Sequence, residues 1–471
     1  MTFIEIEHKA RELKAKIQNA KPVLDIKGTT YYVSLDGDDN NDGLSPKTAW
    51  KTLFNVNQHS KEFKPGDAVL FRCGDIFRPA KVAGRHLYLQ PGVTYSSFGE
   101  GAKPEFRANT ADAIEFDWVD EGNNIYSLQF DHGFDVGSIV FDGGKEWGFK
   151  LVNGVDADTS PRLDLDYFHD PFQQKLYLCS EYGHPTKRWK SIEIAPRCSY
   201  FGGTDDNRPE GAVIDGLAFR HIGGFGISLS TVDYPESGEI YYKGFSDFTV
   251  RNCEFEWIGG SLMRDPKTST VRYGNGFEIW GGGSNLLVEN CYFNQIYDAA
   301  ITQQFHVPNL SGDKPVTVED SVFRNNLFEN NTYDYEYFLT ERKNPDTNFA
   351  FKNIRFENNI CRKSGYGFGA QRPDRNEAAS IKSWAHQNKS EDFVIRNNIF
   401  DRGDYVLVEA ISALDPKYRP ILDGNVYCQY ECKGWISAIK GQPASRFTRD
   451  NIKNPTEHFA EENAICVKPL R

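Results

Sequence analysis

The sequence predicts an all-β fold: a right-handed parallel β-helix, a solenoid of stacked three-strand coils, with a short N-terminal helix and a β-rich insertion. Two observations predict it. One short motif recurs along the second half of the chain, and the spacing between copies varies while the motif's chemistry does not. In addition, the 471 residues are rich in glycine (41) and aromatic residues (14%), as turn-rich β proteins are.

The motif is a β-branched or aromatic residue, any residue, Asn, then Asn or Cys, then an apolar residue. It reads Val250-Arg251-Asn252-Cys253, Val288-Glu289-Asn290-Cys291, Phe323-Arg324-Asn325-Asn326, Phe356-Glu357-Asn358-Asn359 and Ile395-Arg396-Asn397-Asn398. Echoes stand at Ile214-Asp215-Gly216 and Leu422-Asp423-Gly424-Asn425. Successive first asparagines are 38, 35, 33 and 39 residues apart. A fixed strand chemistry with irregular steps is what loops inserted on one face of a solenoid produce. Asn suits the turn because it tolerates left-handed backbone, and its amide can bond the asparagine of the next coil. The apolar positions stack inside.

Around these coils the chain divides into five parts. Residues 1–28 carry Ile4, Ala10, Leu13 and Ile17 at helical spacing and predict an amphipathic helix. Residues 29–105 form the N-terminal cap and first coils, and 106–205 a β-rich insertion with strand-like runs such as Gly137–Phe141 and Lys175–Leu178. Residues 206–432 are the main coils, and 433–471 a C-terminal cap and tail that closes the open edge.

Charge and composition limit function. The formal net charge of -12 repels phosphate backbones, so nucleic acid is not an expected partner. It also disfavours a strongly anionic polymer unless a local basic groove offsets it. No apolar run is long enough for a membrane span. The first residues lack the apolar core of a secretory signal. Nine cysteines in no close-set framework fit reduced thiols and a cytoplasmic setting, although a trimmed secretion signal is also compatible. Cys428 and Cys432 are spaced like half a zinc site, but no second pair accompanies them. Asp36, Asp38, Asp39, Asn40 and Asp42 have calcium-type oxygen ligands at close spacing, without the Glu an EF-hand loop needs. A turn whose acids cap their own backbone is the preferred reading, so no cofactor is expected.

Residues 31–78, with YYVSLDGDDNNDGLSPKTAWKTLFNVN and FKPGDAVLFRCGDIFR, resemble the opening of right-handed parallel β-helix carbohydrate-active enzymes, both polysaccharide lyases and glycoside hydrolases. The later blocks GNGFEIWGG, YDAAITQQ, YDYEYF and GYGFGAQRPD are similar to bacterial β-helix repeat proteins of the glycoside hydrolase type, with xylosidases nearest. The resemblance covers most of the chain. It implies a sugar substrate bound in a groove along the helix side, and it does not fix the reaction. The polygalacturonase hallmarks (Asn-Thr-Asp, Asp-Asp, Gly-His-Gly) are absent, which argues against a pectin hydrolase.

Glycosidic cleavage needs one protonated and one ionised carboxyl group. The candidates are Asp298 and Glu336, with Glu278 as a third member or replacement. Aligning coils on their asparagines sets Asp298 opposite Tyr333, and Ile301 opposite Glu336. Stacked strands lie about 4.8 Å apart, so these acids fall within glycosidase range. Trp280, Tyr335 and Tyr337 supply sugar-stacking faces, and Gln303 and Gln304 hydrogen bonds. Gln371, Arg372, Asp374, Arg375, Lys382, Trp384, His386 and Glu409 form a second cluster, in which Arg372 and Lys382 suit sugar hydroxyls or a uronate carboxylate. A hydrolase acting on plant-type oligosaccharides is the leading expectation. A lyase with a Lys or Arg base is the second. A non-catalytic carbohydrate-binding solenoid is the third. An oligomer formed through the N-terminal helix is compatible with each.

Overall fold

Ten-stranded parallel sheets dominate the computed structural model, which describes residues 1–80, 85–130, 135–153, 156, 158–203, 208–230, 232–233, 241–242, 245–264, 270–280, 283–307, 316–341, 349–372, 377–383, 389–409, 419–430, 433–437, 446–447, 461 and 463–470. Three such sheets run side by side, each taking one strand from every coil. Neighbouring strands within them pair in parallel, as Val288 with Phe323 and Phe356 with Ile395 illustrate, except at the end of one sheet, where Gly434–Ser437 pairs antiparallel with Arg446–Phe447. The chain is a parallel β-helix.

The repeated asparagines divide two tasks between them. The first of each pair turns the corner with left-handed backbone: Asn252, Asn290, Asn325, Asn358 and Asn397 have φ between 52° and 56°. Gly216 and Gly424 take the same role in the echoes, at φ 72° and 66°. The second residue of the pair makes the ladder. Asn326 Nδ2 donates to Asn359 Oδ1 at 3.1 Å, Asn359 to Asn398 at 3.1 Å, and Asn398 to Asn425 at 3.0 Å. The same oxygens accept backbone N–H groups of the coil before, at 2.9 Å. All four side chains are wholly buried. Glu461 ends the row by accepting from Asn425.

Inside the coils, phenylalanines stack in register. Ring centroids lie 5.0 Å apart for Phe219 and Phe255, 4.7 Å for Phe255 and Phe293, and 5.1 Å for Phe293 and Phe328. The N-terminal helix, Phe3–Gln18, opens with a capping box of Thr2 and Glu5. Its Ile6, Ala10 and Ile17 pack on Tyr292, Leu327, Ile360, Ile399 and Val426. Ile4, expected in the apolar stripe, is instead 65% exposed, and Ile6 takes its place in the packed face. The apolar face expected to be free for a subunit is therefore covered by the coils. Cys428 is buried under the same helix, while Cys432 lies outside the described residues.

Between the coil strands Glu105–Arg107 and Ser199–Gly202, the chain builds two small sheets around a core of their own, including Trp118, Tyr167 and Trp189. Past residue 433 the coils continue: Gly434–Ser437 and Ile465–Val467 still extend two of the large sheets. The predicted cap is thus partly further coil. In the acidic opening, Asp39 accepts from Lys51 N, Thr52 N and Thr52 Oγ1 at 2.8, 2.9 and 2.6 Å. Asp38 and Asp42 likewise accept backbone amides two residues on. Among the described residues no cluster of His, Cys, Asp or Glu is arranged to hold a metal, and no helix is long and apolar enough to cross a membrane.

Two substitutions test this architecture. Asn359→Ala removes the acceptor of two buried donors, Asn326 N and Nδ2, and one of the two donors to Asn398 Oδ1, so stability falls by about 2–5 kcal/mol in denaturant unfolding. Asp334 is wholly buried, and burial pushes its carboxyl up to about 7. The folded state therefore holds this proton more tightly than the unfolded chain does. Stability from this group falls as pH rises from the ordinary carboxylate range through about 7, and is level above that. Asp334→Asn removes that loss: the variant gains on the order of 2–4 kcal/mol over wild type above pH 8, and the gain vanishes near pH 4.

Candidate active site

The third large sheet carries the site. Along its strands, residues alternate between the coil interior and the outside. On Phe277–Trp280, Phe277 and Ile279 face the core while Glu278 and Trp280 line a pocket of about 720 Å³. On Ala299–Val307, Ile301 is in the core and Gln304 lines the pocket. On Tyr333–Glu341, Tyr335 and Tyr337 are core while Glu336 and Phe338 line the pocket. Asp298, in the corner before its strand, completes the set. All three predicted carboxylates meet in one cavity.

The pairing that achieves this differs by one residue from the asparagine alignment. Asn294 pairs with Glu329, a step of 35, but past the corner Ala299 pairs with Tyr333, a step of 34. The later corner is one residue shorter. Glu336 therefore stands beside Thr302, not Ile301, and faces outward. A one-residue slip exchanges the two faces of a strand. For the same reason three predicted sugar contacts are interior groups. Tyr335 and Tyr337 are wholly buried in the coil core. Gln303 is also wholly buried; it donates to Gly283 O at 2.9 Å and accepts from Tyr335 Oη at 2.7 Å.

Glu278 is buried in the wall of the pocket. Its carboxylate accepts from Asn275 Nδ2, from Thr302 Oγ1 at 3.0 Å, and from Gln304 Nε2 at 3.3 Å. These donors favour the charged form. Burial opposes them more strongly, the negative charge of Asp298 adds to burial, and the carboxyl is pushed up to about 7. Asn275 also accepts from Ala299 N at 2.9 Å, which ties the Glu278 strand to the corner holding Asp298. Asp298 is ion-paired with Arg372. The Arg372 guanidinium lies 5.4 Å from the Tyr333 ring centre and 5.8 Å from that of Tyr297. One acid is thus held toward protonation beside another held by a cation.

The second predicted cluster separates. Arg372 lines the pocket. Gln371 instead bonds the insertion: its Nε2 donates to Gly148 O at 2.8 Å and its Oε1 accepts from Lys150 N at 3.2 Å. Lys382 is wholly buried one coil beyond Glu336, donating to Glu409 at 2.7 Å, and neither residue lines the pocket. Asp374, Arg375, Trp384 and His386 lie outside the described residues. Sequence reading missed Ser228, Asn275, Arg264, Arg272 and Tyr273, which also line the cavity. Asn275 sits three residues before Glu278 in the block already singled out, so it was within reach. Arg272 and Tyr273 stand on a two-residue strand that folds back on Ser261–Leu262, and no repeat marks it.

No family model matches the chain. It is 37% identical over 90 residues to a lacto-N-biosidase of Bifidobacterium longum subsp. longum, a match spanning 17% of this chain and 5% of that protein's length. Solved structures similar in chain path include a glycoside hydrolase, at TM-score 0.48 and 10% identity over 94% of this chain and 97% of that one. Another is XylC in complex with xylose, at TM-score 0.43 and 10% identity over 93% and 83%. A third is the GH136 lacto-N-biosidase of Eubacterium ramulus, at TM-score 0.38 and 14% identity over 94% and 68%.

Proposed function

We propose that this chain is a glycoside hydrolase whose side pocket cleaves oligosaccharides with a pair of carboxyl groups. The observation that carries the reading is the joint placement of Glu278 and Asp298. One is raised toward neutrality by burial, the other is paired with Arg372, and both line a single cavity. The 90-residue likeness to a lacto-N-biosidase supports the same reaction class.

In this mechanism Glu278 is the general acid. Its proton is retained near pH 7 and passes to the glycosidic oxygen as the bond to the leaving sugar breaks. Asp298 is the ionised partner, held in place by Arg372, and acts on the sugar carbon directly or through water. Glu336, beside Thr302 on the neighbouring strand, hydrogen-bonds the sugar in the same cavity. Trp280 and Phe338 give it apolar faces. The lyase alternative needs Lys382 or Arg372 as base. Lys382 is buried against Glu409, and Arg372 is paired with Asp298, so hydrolysis is favoured.

The test is a reducing-end assay on a panel of neutral and acidic oligosaccharides and aryl glycosides. Glu278→Gln lowers kcat by 10²–10⁴-fold. Asp298→Asn has a comparable effect. Because the acid must be protonated, kcat/KM falls as pH rises through about 7, and Glu278→Gln abolishes that limb of the profile. Unsaturated, ultraviolet-absorbing products that survive Glu278→Gln would establish a lyase instead.

A further inference from the structure

The groups of the pocket stand in coil order, and that order gives the groove a direction. On the third large sheet one outward row crosses successive coils. Ser228 pairs with Glu278, Thr302 donates to Glu278 from the next coil at 3.0 Å, and Glu336 pairs with Thr302. Strands in such a row are about 4.8 Å apart, close to the length of one sugar ring. Beyond Glu336 the row is closed. Lys382 and Glu409 follow it, both buried, bonded to each other at 2.7 Å and outside the cavity. At the other end the cavity continues past Glu278 to Phe225, Ser228 and Tyr273, which line it.

These three residues have the surfaces a sugar ring needs. Ser228 and Tyr273 carry hydroxyls with no hydrogen-bond partner among the described residues, and neither oxygen is enclosed. Phe225 and Tyr273 are half-buried rings with centroids 6.1 Å apart. Tyr273 is fixed by its hairpin, where its carbonyl accepts from Gly260 N at 3.2 Å. It stands two residues before Asn275, which donates to Glu278. Aromatic faces stack on the C–H face of a sugar, and unspent hydroxyls bond its rim.

The two acids decide which sugar this is. Glu278, as general acid, attends the oxygen of the leaving sugar, and Asp298 attends the anomeric carbon. Asp298 directly precedes the strand Ala299–Val307, one coil past Glu278 and away from Ser228. The scissile bond thus points from the coil of Asp298 toward that of Ser228. We propose that Phe225, Ser228 and Tyr273 form the subsite for the leaving sugar, so that the substrate lies along the solenoid axis with its reducing end toward the N-terminal coils. The inference rests on the reading of Glu278 and Asp298 as acid and ionised partner. It adds the direction of the bound chain and the residues that select its leaving group.

The experiment uses the full chain with xylobiose, cellobiose, lactose and digalacturonate, each beside the glycosyl fluoride of its own non-reducing sugar. A fluoride leaves the leaving-sugar subsite empty. The expected result is that Tyr273→Phe combined with Ser228→Ala lowers the ratio of kcat/KM on the disaccharide to kcat/KM on its fluoride by ten-fold or more. The ratio cancels any loss of folded protein. Binding is read separately by calorimetric titration of Glu278→Gln. There a disaccharide binds ten or more times tighter than the methyl glycoside of its non-reducing sugar, and the two added substitutions remove the gain. A crystal structure of Glu278→Gln with that disaccharide has the reducing-end ring against Tyr273. An unchanged ratio, a gain that survives both substitutions, a reducing-end ring over Phe338, or binding of none of the disaccharides would each overturn the proposal. Disaccharide binding that depends on Ser228 and Tyr273 without Glu278-dependent turnover sinks the hydrolase and keeps the sugar subsite. Glu278-dependent turnover with an unchanged ratio does the reverse.

Discussion

Register between stacked coils is the constraint on which everything else depends. A parallel strand pair specifies its hydrogen bonds evenly along its length, so slippage by one residue costs little in the backbone itself. Here the buried row of Asn326, Asn359, Asn398 and Asn425 resists slippage. The side-chain oxygens of Asn359, Asn398 and Asn425 each meet both a side-chain and a backbone donor of the coil before. Moving one coil by a residue would break several of these bonds in an interior with no water to replace them. The phenylalanine stack reinforces the same alignment through packing.

Fixed register on one sheet does not by itself fix the next, because the corners between sheets differ in length. That freedom is what the pocket uses. The corner one residue shorter before Tyr333 places Glu336, with Glu278, Trp280 and Gln304, on the outer face. The tyrosines that alternate with Glu336 then turn inward, where Tyr335 and Tyr337 stack and fill the coil. A residue's role in this strand follows from its parity alone.

The insertion contributes to the site without carrying its acids. Gln371 fastens the segment leading to Arg372 onto Gly148 and Lys150, and Phe368 packs with Trp257 and Tyr297 beneath it. Asp135 bonds Leu262, whose strand pairs with the one bearing Arg272. Arg372 and Arg272, two of the three arginines that line the pocket, are thus braced by bonds that reach the insertion.

The sequence by itself determined the solenoid, the corners and the candidate acids. Asn252, Asn290, Asn325, Asn358 and Asn397 are legible because left-handed corners and buried amide ladders admit few residue types. Glu278, Asp298 and Glu336 were legible as acids set among aromatics on successive coils. Only the tertiary structure decided which of their neighbours share the pocket. Corner length, invisible to a motif count, sets the parity that sends Gln304 outward and Gln303, Tyr335 and Tyr337 inward. Arg272 was out of reach for a related reason: its strand folds back outside the repeat, so no motif marks it as lining the pocket.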